Sequence, residues 1–133
     1  MFKCSKCKEY KESSEFYNFK KERRCKPCSK AKQLLWSKLN PIHKWGLGLK
    51  KSRFWPELSA MECVAKYEEL FQSQQGLCAC CGKPQSAEKK RFAVDHDHKT
   101  KKVRAILCMS CNRGIGLLGE DVVHKAAEYL NRF

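Results

Sequence analysis

Apolar residues recur at helical spacing from Met61 through Val64, Ala65, Tyr67 and Leu70 to Phe71, with polar residues between them. That stripe predicts an amphipathic helix packed on a core. Ser59 followed three residues later by Glu62 is a capping-box start, and Gly76 closes the helix after about Gln75. Further on, Arg91–Asp95 and Lys102–Leu107 read as short strands, with Lys99-Thr100-Lys101 near the turn. From Asn112 the chain reads as helical again, weakened by Gly114, Gly116 and Gly119, so a break is expected near Gly119. A last amphipathic helix over 121–131 turns Val122, Val123, Ala126, Ala127 and Leu130 inward. In the N-terminal half, Leu34, Leu35 and Leu39 oppose Lys30, Lys32 and Lys38 in a predicted helix over 29–40, which Asn40-Pro41 breaks. Residues 41–58 read as irregular.

The first 28 residues lack a core of their own. Cys4-x2-Cys7, a gap of 17 residues and Cys25-x2-Cys28 have zinc-ribbon spacing. Between the pairs, Phe16-Tyr17-Asn18-Phe19 supplies too few apolar contacts to fold without metal, so zinc binding is folding free energy here. Cys78-x2-Cys81 and Cys108-x2-Cys111 reuse the device and close a loop of 26 residues, which reads as one tetrahedral zinc site. Cys80 could compete with Cys81 as a ligand, and the spacing favours Cys81. Cys63, on the apolar stripe, reads as a core thiol. The expected fold is small, α+β and dependent on two structural Zn²⁺ ions. It has three parts: a zinc ribbon over 1–28, a basic helix and aromatic linker over 29–58, and a zinc-braced domain over 59–133.

Ten cysteines in 133 residues could suit a secreted disulfide scaffold, but eight of them fall in CxxC pairs. Met1-Phe2-Lys3-Cys4 leads straight into the first pair with no signal-peptide pattern, so a reducing cytoplasm is expected. No apolar run approaches the roughly 20 residues needed to span a bilayer, so no membrane partner is expected.

The formal net charge is +14. Residues 1–58 carry 16 Lys and Arg against 5 Asp and Glu, while residues 59–133 carry 12 against 9. That asymmetry, mixed with Trp, Phe and Tyr, points to nucleic acid as partner; a solubilising surface is the plainer alternative. Lys20, Lys21, Arg23 and Arg24 stand beside the ribbon's aromatic residues as candidate DNA contacts, against a ribbon that is purely structural. Lys50, Lys51 and Arg53 lie among Trp45, Phe54 and Trp55. This segment could follow a phosphate backbone or pack a linker onto the next domain.

The second zinc module frames the sequence Val94-Asp95-His96-Asp97-His98, and Asn112 directly follows its last cysteine. The predicted order of strand, hairpin, strand, knuckle and helix puts Asp95 at a strand end and Asn112 in the first turn of a helix. Their oxygen atoms suit one hard cation, Mg²⁺ or Mn²⁺. His96 points to the opposite pleat face from Asp95 unless the strand has already ended. It could take a proton from the water that attacks a phosphate.

Residues 78–84, CACCGKP, and 93–117, AVDHDHKTKKVRAILCMSCNRGIGL, resemble the recombination endonuclease VII group of HNH, or ββα-metal (His-Me finger), nucleases. The resemblance covers about residues 65–131, and the ribbon before it is similar to those that precede such nucleases in phage proteins. It implies an HNH endonuclease domain that hydrolyses DNA phosphodiesters to 5′-phosphate and 3′-hydroxyl ends. His96 is then the general base, Asp95 and Asn112 the ligands of a single catalytic Mg²⁺ or Mn²⁺, and His98 a second histidine near the phosphate. Cys78, Cys81, Cys108 and Cys111 match the structural zinc ligands. Lys99, Lys101, Lys102 and Arg104 would hold the DNA backbone. Asn112 stands where many HNH enzymes have His, as is normal in this group. The implied setting is a phage or mobile-element, homing-like nuclease in a host cytoplasm, as monomer or homodimer. Two alternatives stay open: a non-catalytic zinc-finger DNA-binding protein, and a Holliday-junction or other branched-DNA resolvase. His98 could also be a solvated turn residue, and His43 and His124 read as ordinary surface or partly buried side chains.

Overall fold

In a computed structural model, residues 1–17 and 23–133 are described, and the chain divides into two compact units, Met1–Trp45 and Gly46–Phe133. The segment Asn18-Phe19-Lys20-Lys21, with its aromatic and DNA-contact expectations, lies outside the described residues.

In the first unit, β1 (Phe2–Lys3) pairs antiparallel with β2 (Tyr10–Lys11), Phe2 facing Lys11 and Lys3 facing Tyr10. Cys4 and Cys7 lie in the connection. A short 3₁₀ turn over Ser13–Glu15 leads to Phe16, which bridges to Cys25. Cys25 then caps α1 (Lys26–Leu39), with Pro27 in the first turn, where its missing N–H costs nothing. The buried core is Cys4, Phe16 and Cys25, with Cys28 packed against it. Burying one aromatic ring contributes only about 1.5–3 kcal/mol, so the sulfurs must be held by something stronger than packing. The apolar face of α1 is exposed, Leu34 at 58%, Leu35 at 59% and Leu39 at 72%.

Where an irregular stretch was expected after Asn40, the chain forms α2 (Pro41–Lys51), and the division between the units falls within it. Pro41 opens this helix rather than breaking the chain's helicity, since a first-turn N–H has no intrahelical acceptor. Gly46 is no breaker either: a Cβ there would overlap the Ala60 carbonyl oxygen, so glycine is what close packing requires. Residues 52–59 carry the chain to α3 (Ala60–Ser73). Both expected capping-box bonds form, Glu62 N–H to Ser59 Oγ at 3.3 Å and Ser59 N–H to Glu62 Oε2 at 2.7 Å. The buried face of α3 is Ala60, Cys63, Val64 and Tyr67, whereas Met61 and Ala65, expected on that stripe, are exposed.

Strand β3 (Ala93–His96) pairs antiparallel with β4 (Val103–Leu107). Ala93 faces Leu107, Val94 faces Ile106 and Asp95 faces Ala105, but His96 faces Val103. One residue of β4, Arg104, is left over at this bulge. Phe92, Val94, Ile106 and Leu107 are the buried residues of the hairpin. Two side chains fasten it to α3. Tyr67 Oη donates to the Phe92 carbonyl at 3.0 Å, and the Gln74 amide both donates to Ile106 O and accepts from Ile106 N–H, each at 2.8 Å. The side chain of Gln74 thus acts as a strand neighbour to the β4 backbone.

Helix α4 (Met109–Leu118) follows directly and lies against β3. The expected break falls at Gly119 (φ 77), and α5 (Glu120–Leu130) packs on α4. Of its expected inward residues, Val123 and Ala126 are half-buried, while Val122, Ala127 and Leu130 are exposed. Among the described residues, no helix is long and apolar enough to cross a membrane.

Candidate metal centres and active site

Two groups of four cysteines come together, Cys4, Cys7, Cys25 and Cys28 in one, Cys78, Cys81, Cys108 and Cys111 in the other, with the four sulfurs of each within 4.8 Å of one another. The Cys7 and Cys25 sulfurs are 3.9 Å apart and those of Cys81 and Cys108 3.8 Å. A tetrahedron with Zn–S bonds of about 2.3 Å has edges of about 3.8 Å, whereas a disulfide needs about 2 Å. Both groups therefore fit a Zn²⁺ ion. Cys80 is exposed and stays outside the four, and Cys63 is fully buried in the core, where burial pushes its thiol pKa up.

The two groups share a local construction. The residue after the second cysteine is left-handed, Lys8 at φ 66 and Gly82 at φ 71. Its N–H closes onto the carbonyl of the first cysteine, at 3.0 Å for Lys8 and 2.9 Å for Gly82. The third cysteine donates its N–H to the sulfur of the first, Cys25 to Cys4 at 3.3 Å and Cys108 to Cys78 at 3.2 Å, and it also caps the following helix. These N–H groups favour thiolate. The Cys25 N–H chiefly brings Cys4 down to about 6. Burial opposes ionisation of Cys78, but the N–H groups of Cys108, Cys81 and Cys80 prevail and it too falls to about 6. The last thiols resist a second charge. Cys28 is pushed up to about 12 by its sulfur contact with Cys25 and by burial, and Cys111 is raised by burial and the neighbouring sulfurs. A divalent cation removes that repulsion. The second cluster ties the knuckle at 78–81 to the end of β4 and the start of α4, which brackets the hairpin.

On that hairpin Asp95 and His96 engage different partners. Both Asp95 oxygens accept from Arg104, Oδ2 from Nε at 2.8 Å and Oδ1 from Nη2 at 3.2 Å. Arg104 Nη1 donates to Glu120 at the start of α5 at 2.7 Å. The Asp95 and Glu120 carboxylates hold the guanidinium firmly protonated. The half-buried His96 ring instead lies against the Phe54 ring, centroids 5.0 Å apart and tilted by 52°, and stacks on His98 at 5.0 Å and 6°. Burial, then the charges of His98 and Lys101, hold its pKa below the ordinary imidazole range. Asn112 is in the first turn of α4, the helix beside β3. Its side chain offers an oxygen donor, as does the Asp95 carboxylate, which already faces a cationic group.

Asp97 is the turn's organiser. Its Oδ1 accepts from Lys99 N–H at 2.8 Å and Thr100 N–H at 2.6 Å, which lowers its pKa, the Thr100 N–H first. Lys101 completes the turn at φ 61. An Asp at the head of a short polar loop, here Asp97-His98-Lys99-Thr100, is an Asx-turn signal, so this role could have been read from the sequence. Glu120 and Phe54 carry no such signal, because both act across the fold.

Among the candidate DNA contacts, Lys99, Lys101 and Lys102 are exposed around this turn, and Lys51 and Arg53 are exposed at the end of α2. Lys50 Nζ donates to the Leu58 carbonyl at 2.6 Å and so braces the link into α3. Arg23 is exposed and Arg24 half-buried in the first unit.

The chain is similar to two phage proteins. The Gene 59 protein of Mycobacterium phage L5 is 38% identical over 68 residues, 49% of this chain and 41% of that protein. The Gene 59 protein of Mycobacterium phage D29 is 36% identical over 70 residues, 50% of this chain and 42% of that protein. The chain thus spans about two fifths of the length of the curated relatives it matches. No solved structure matches it significantly. The profile of the recombination endonuclease VII family matches residues 52–132, the hairpin, the second cysteine cluster and helices α3 to α5 included, and the chain belongs to that family.

Proposed function

We propose that this protein is a metal-dependent DNA endonuclease of the HNH, ββα-metal type, with residues 59–133 as its catalytic domain, a zinc ribbon over 1–28 and a basic linker over 29–58. One observation carries the reading: Asp95-His96 closes a strand whose hairpin partner runs through a four-cysteine cluster into a helix that bears Asn112 in its first turn. Family membership adds the expectation of DNA cleavage. Asp95 and Asn112 would hold one Mg²⁺ or Mn²⁺. Such an ion supplies Lewis-acid stabilisation of the phosphate charge and the leaving oxygen. His96, neutral at working pH, takes the proton of the attacking water through its free nitrogen, and His98 stands beside it toward the phosphate. The backbone is held by Lys99, Lys101 and Lys102, and Lys51, Arg53, Lys20, Lys21, Arg23 and Arg24 are further candidate phosphate contacts. Products are 5′-phosphate and 3′-hydroxyl ends, and the setting is a phage or mobile-element nuclease acting in a host cytoplasm.

The competing reading, a zinc protein that binds DNA without cutting it, draws on the Arg104 guanidinium that takes up both Asp95 oxygens. Plasmid nicking with and without Mg²⁺ separates the two. The wild type should nick only with the ion, and His96→Ala should lose about 10²–10⁴ in rate while gel shifts show unchanged DNA affinity. A variant that nicks at the wild-type rate removes His96 from the mechanism.

A further inference from the structure

The His96 ring touches two other rings, and only one of them belongs to a residue that the resemblance to HNH nucleases brings to the phosphate. His98 stacks on it at 5.0 Å; Phe54, from the segment between α2 and α3, meets it at 5.0 Å with a tilt of 52°. We propose that Phe54 is a positioning residue for the reaction, whose ring fixes the orientation of the His96 imidazole. This rests on the assignment of His96 as general base.

Three further observations give Phe54 that task rather than mere packing. First, its own place is fixed. Its ring meets the Trp55 ring edge-on at 6.2 Å and 73°, and Trp55 is buried with its carbonyl 4.0 Å from the sulfur of Cys63 on α3. Second, the chain bends sharply to deliver it. Arg53 adopts φ 58, a left-handed conformation that is unfavourable for a residue bearing a side chain. Strain of this kind in a non-glycine residue persists where the surroundings impose it, and it clusters at working sites. Third, β3 ends at His96 and the ladder slips just before it, so the backbone alone holds this side chain less firmly than it would in mid-sheet. An imidazole free to turn about two side-chain bonds presents its nitrogen to the water only part of the time. Two rings at contact distance restrict that turning.

The test compares Phe54→Leu, which keeps apolar bulk but loses the ring, with Phe54→Tyr, which keeps it. Each variant is first matched to wild type in zinc content and helical circular dichroism, so that a folding defect is recognised as such. Phe54→Leu should lower kcat about 10- to 100-fold with KM for DNA changed less than twofold, and Phe54→Tyr should restore most of it. In NMR, the His96 ring proton signals, assigned by their loss in His96→Ala, should shift in Phe54→Leu and keep the wild-type position in Phe54→Tyr. A Phe54→Leu enzyme with wild-type kcat and unmoved His96 signals overturns the proposal, and so does an equal loss in both variants. The underlying assignment fails separately, by undiminished cleavage in His96→Ala.

Discussion

Arg104 grips Asp95 with two hydrogen bonds at the single point where β3 and β4 lose register, and Glu120 holds the other side of the same guanidinium. The bulge makes this reach available, because the unpaired residue of β4 is Arg104 itself. A residue proposed as a ligand of the catalytic cation is thus occupied by a side-chain cation. The Asp95 side chain is only 15% exposed, so its charge needs a positive partner in either state.

Exchange of one cation for the other sets the first prediction. Replacing Arg104 with Gln should tighten Mn²⁺ binding about three- to tenfold, since charge-assisted hydrogen bonds are worth about 1.5–3 kcal/mol when buried and less at this exposure. Calorimetric titration of the purified protein measures it, with Asp95→Asn as the variant that should lose the site. Lys101→Gln removes a charge from the turn of the same hairpin and should move the affinity less. Equal effects from the two would reduce Arg104 to a general field effect.

The cysteine clusters lead to a pH prediction. In each group the first thiol ionises near 6 while the last keeps its proton well above neutrality. Zinc binds four thiolates, so loading at pH 7 must expel protons, roughly two to three per ion. By mass action, affinity falls as pH falls and rises as it is raised. Zinc titrations in two buffers of different ionisation enthalpy count the protons directly. Metal content should be about two Zn²⁺ per chain, and an uptake without proton release would show that the sulfurs are not the ligands.

Much of the architecture was legible because its signals are local. CxxC spacing fixes which sulfurs can meet, and the Ser59 to Glu62 pattern announces a cap whose two bonds both form. The strands and the break at Gly119 follow from short-range pattern as well. Three things escaped, each for a physical reason. Helix α2 was hidden by Pro41, Gly46 and Gly48, residues that usually interrupt helices; Gly46 is present because of Ala60, a neighbour in space. The apolar faces of α1 and α5 were visible in the sequence, but periodicity says which residues share a face and not what covers it. The partners of Asp95 and His96 depend on a one-residue slip in register and on a ring some 40 positions upstream. No window of sequence contains either.

Gly46 offers a stability test that is independent of the chemistry. An added methyl group meets the Ala60 carbonyl and then Val64, on the best-buried face of α3. Neither backbone can yield without shifting a helix. Gly46→Ala should therefore destabilise the protein by about 1–3 kcal/mol, even though alanine is the better helix former by about 1 kcal/mol. Gly48→Ala, where a methyl group meets nothing within 4 Å, should be neutral or stabilising. Thermal melts of the two variants give opposite signs if the contact governs.

The placement of α2 also changes where the chain should be cut to test the basic N-terminal half. A truncation before residue 59 would remove Leu49 and Trp55, both buried in the second unit, together with the Phe54 ring that meets His96. Cutting at the division between the units keeps residues 46–133 whole. The removed segment holds 13 Lys and Arg against 4 Asp and Glu, +9 of the net +14. If that charge lies on DNA, the shorter protein should bind more weakly, and its affinity should fall less steeply with salt, because each lost phosphate contact takes away about 0.9 from the slope of log K against log salt. Filter binding at several salt concentrations gives both numbers. Loss of affinity with an unchanged slope would assign the N-terminal unit to shape or apolar contacts. Equal affinity and equal slope would make it a part that does not touch DNA, free to serve a protein partner through the exposed leucines of α1.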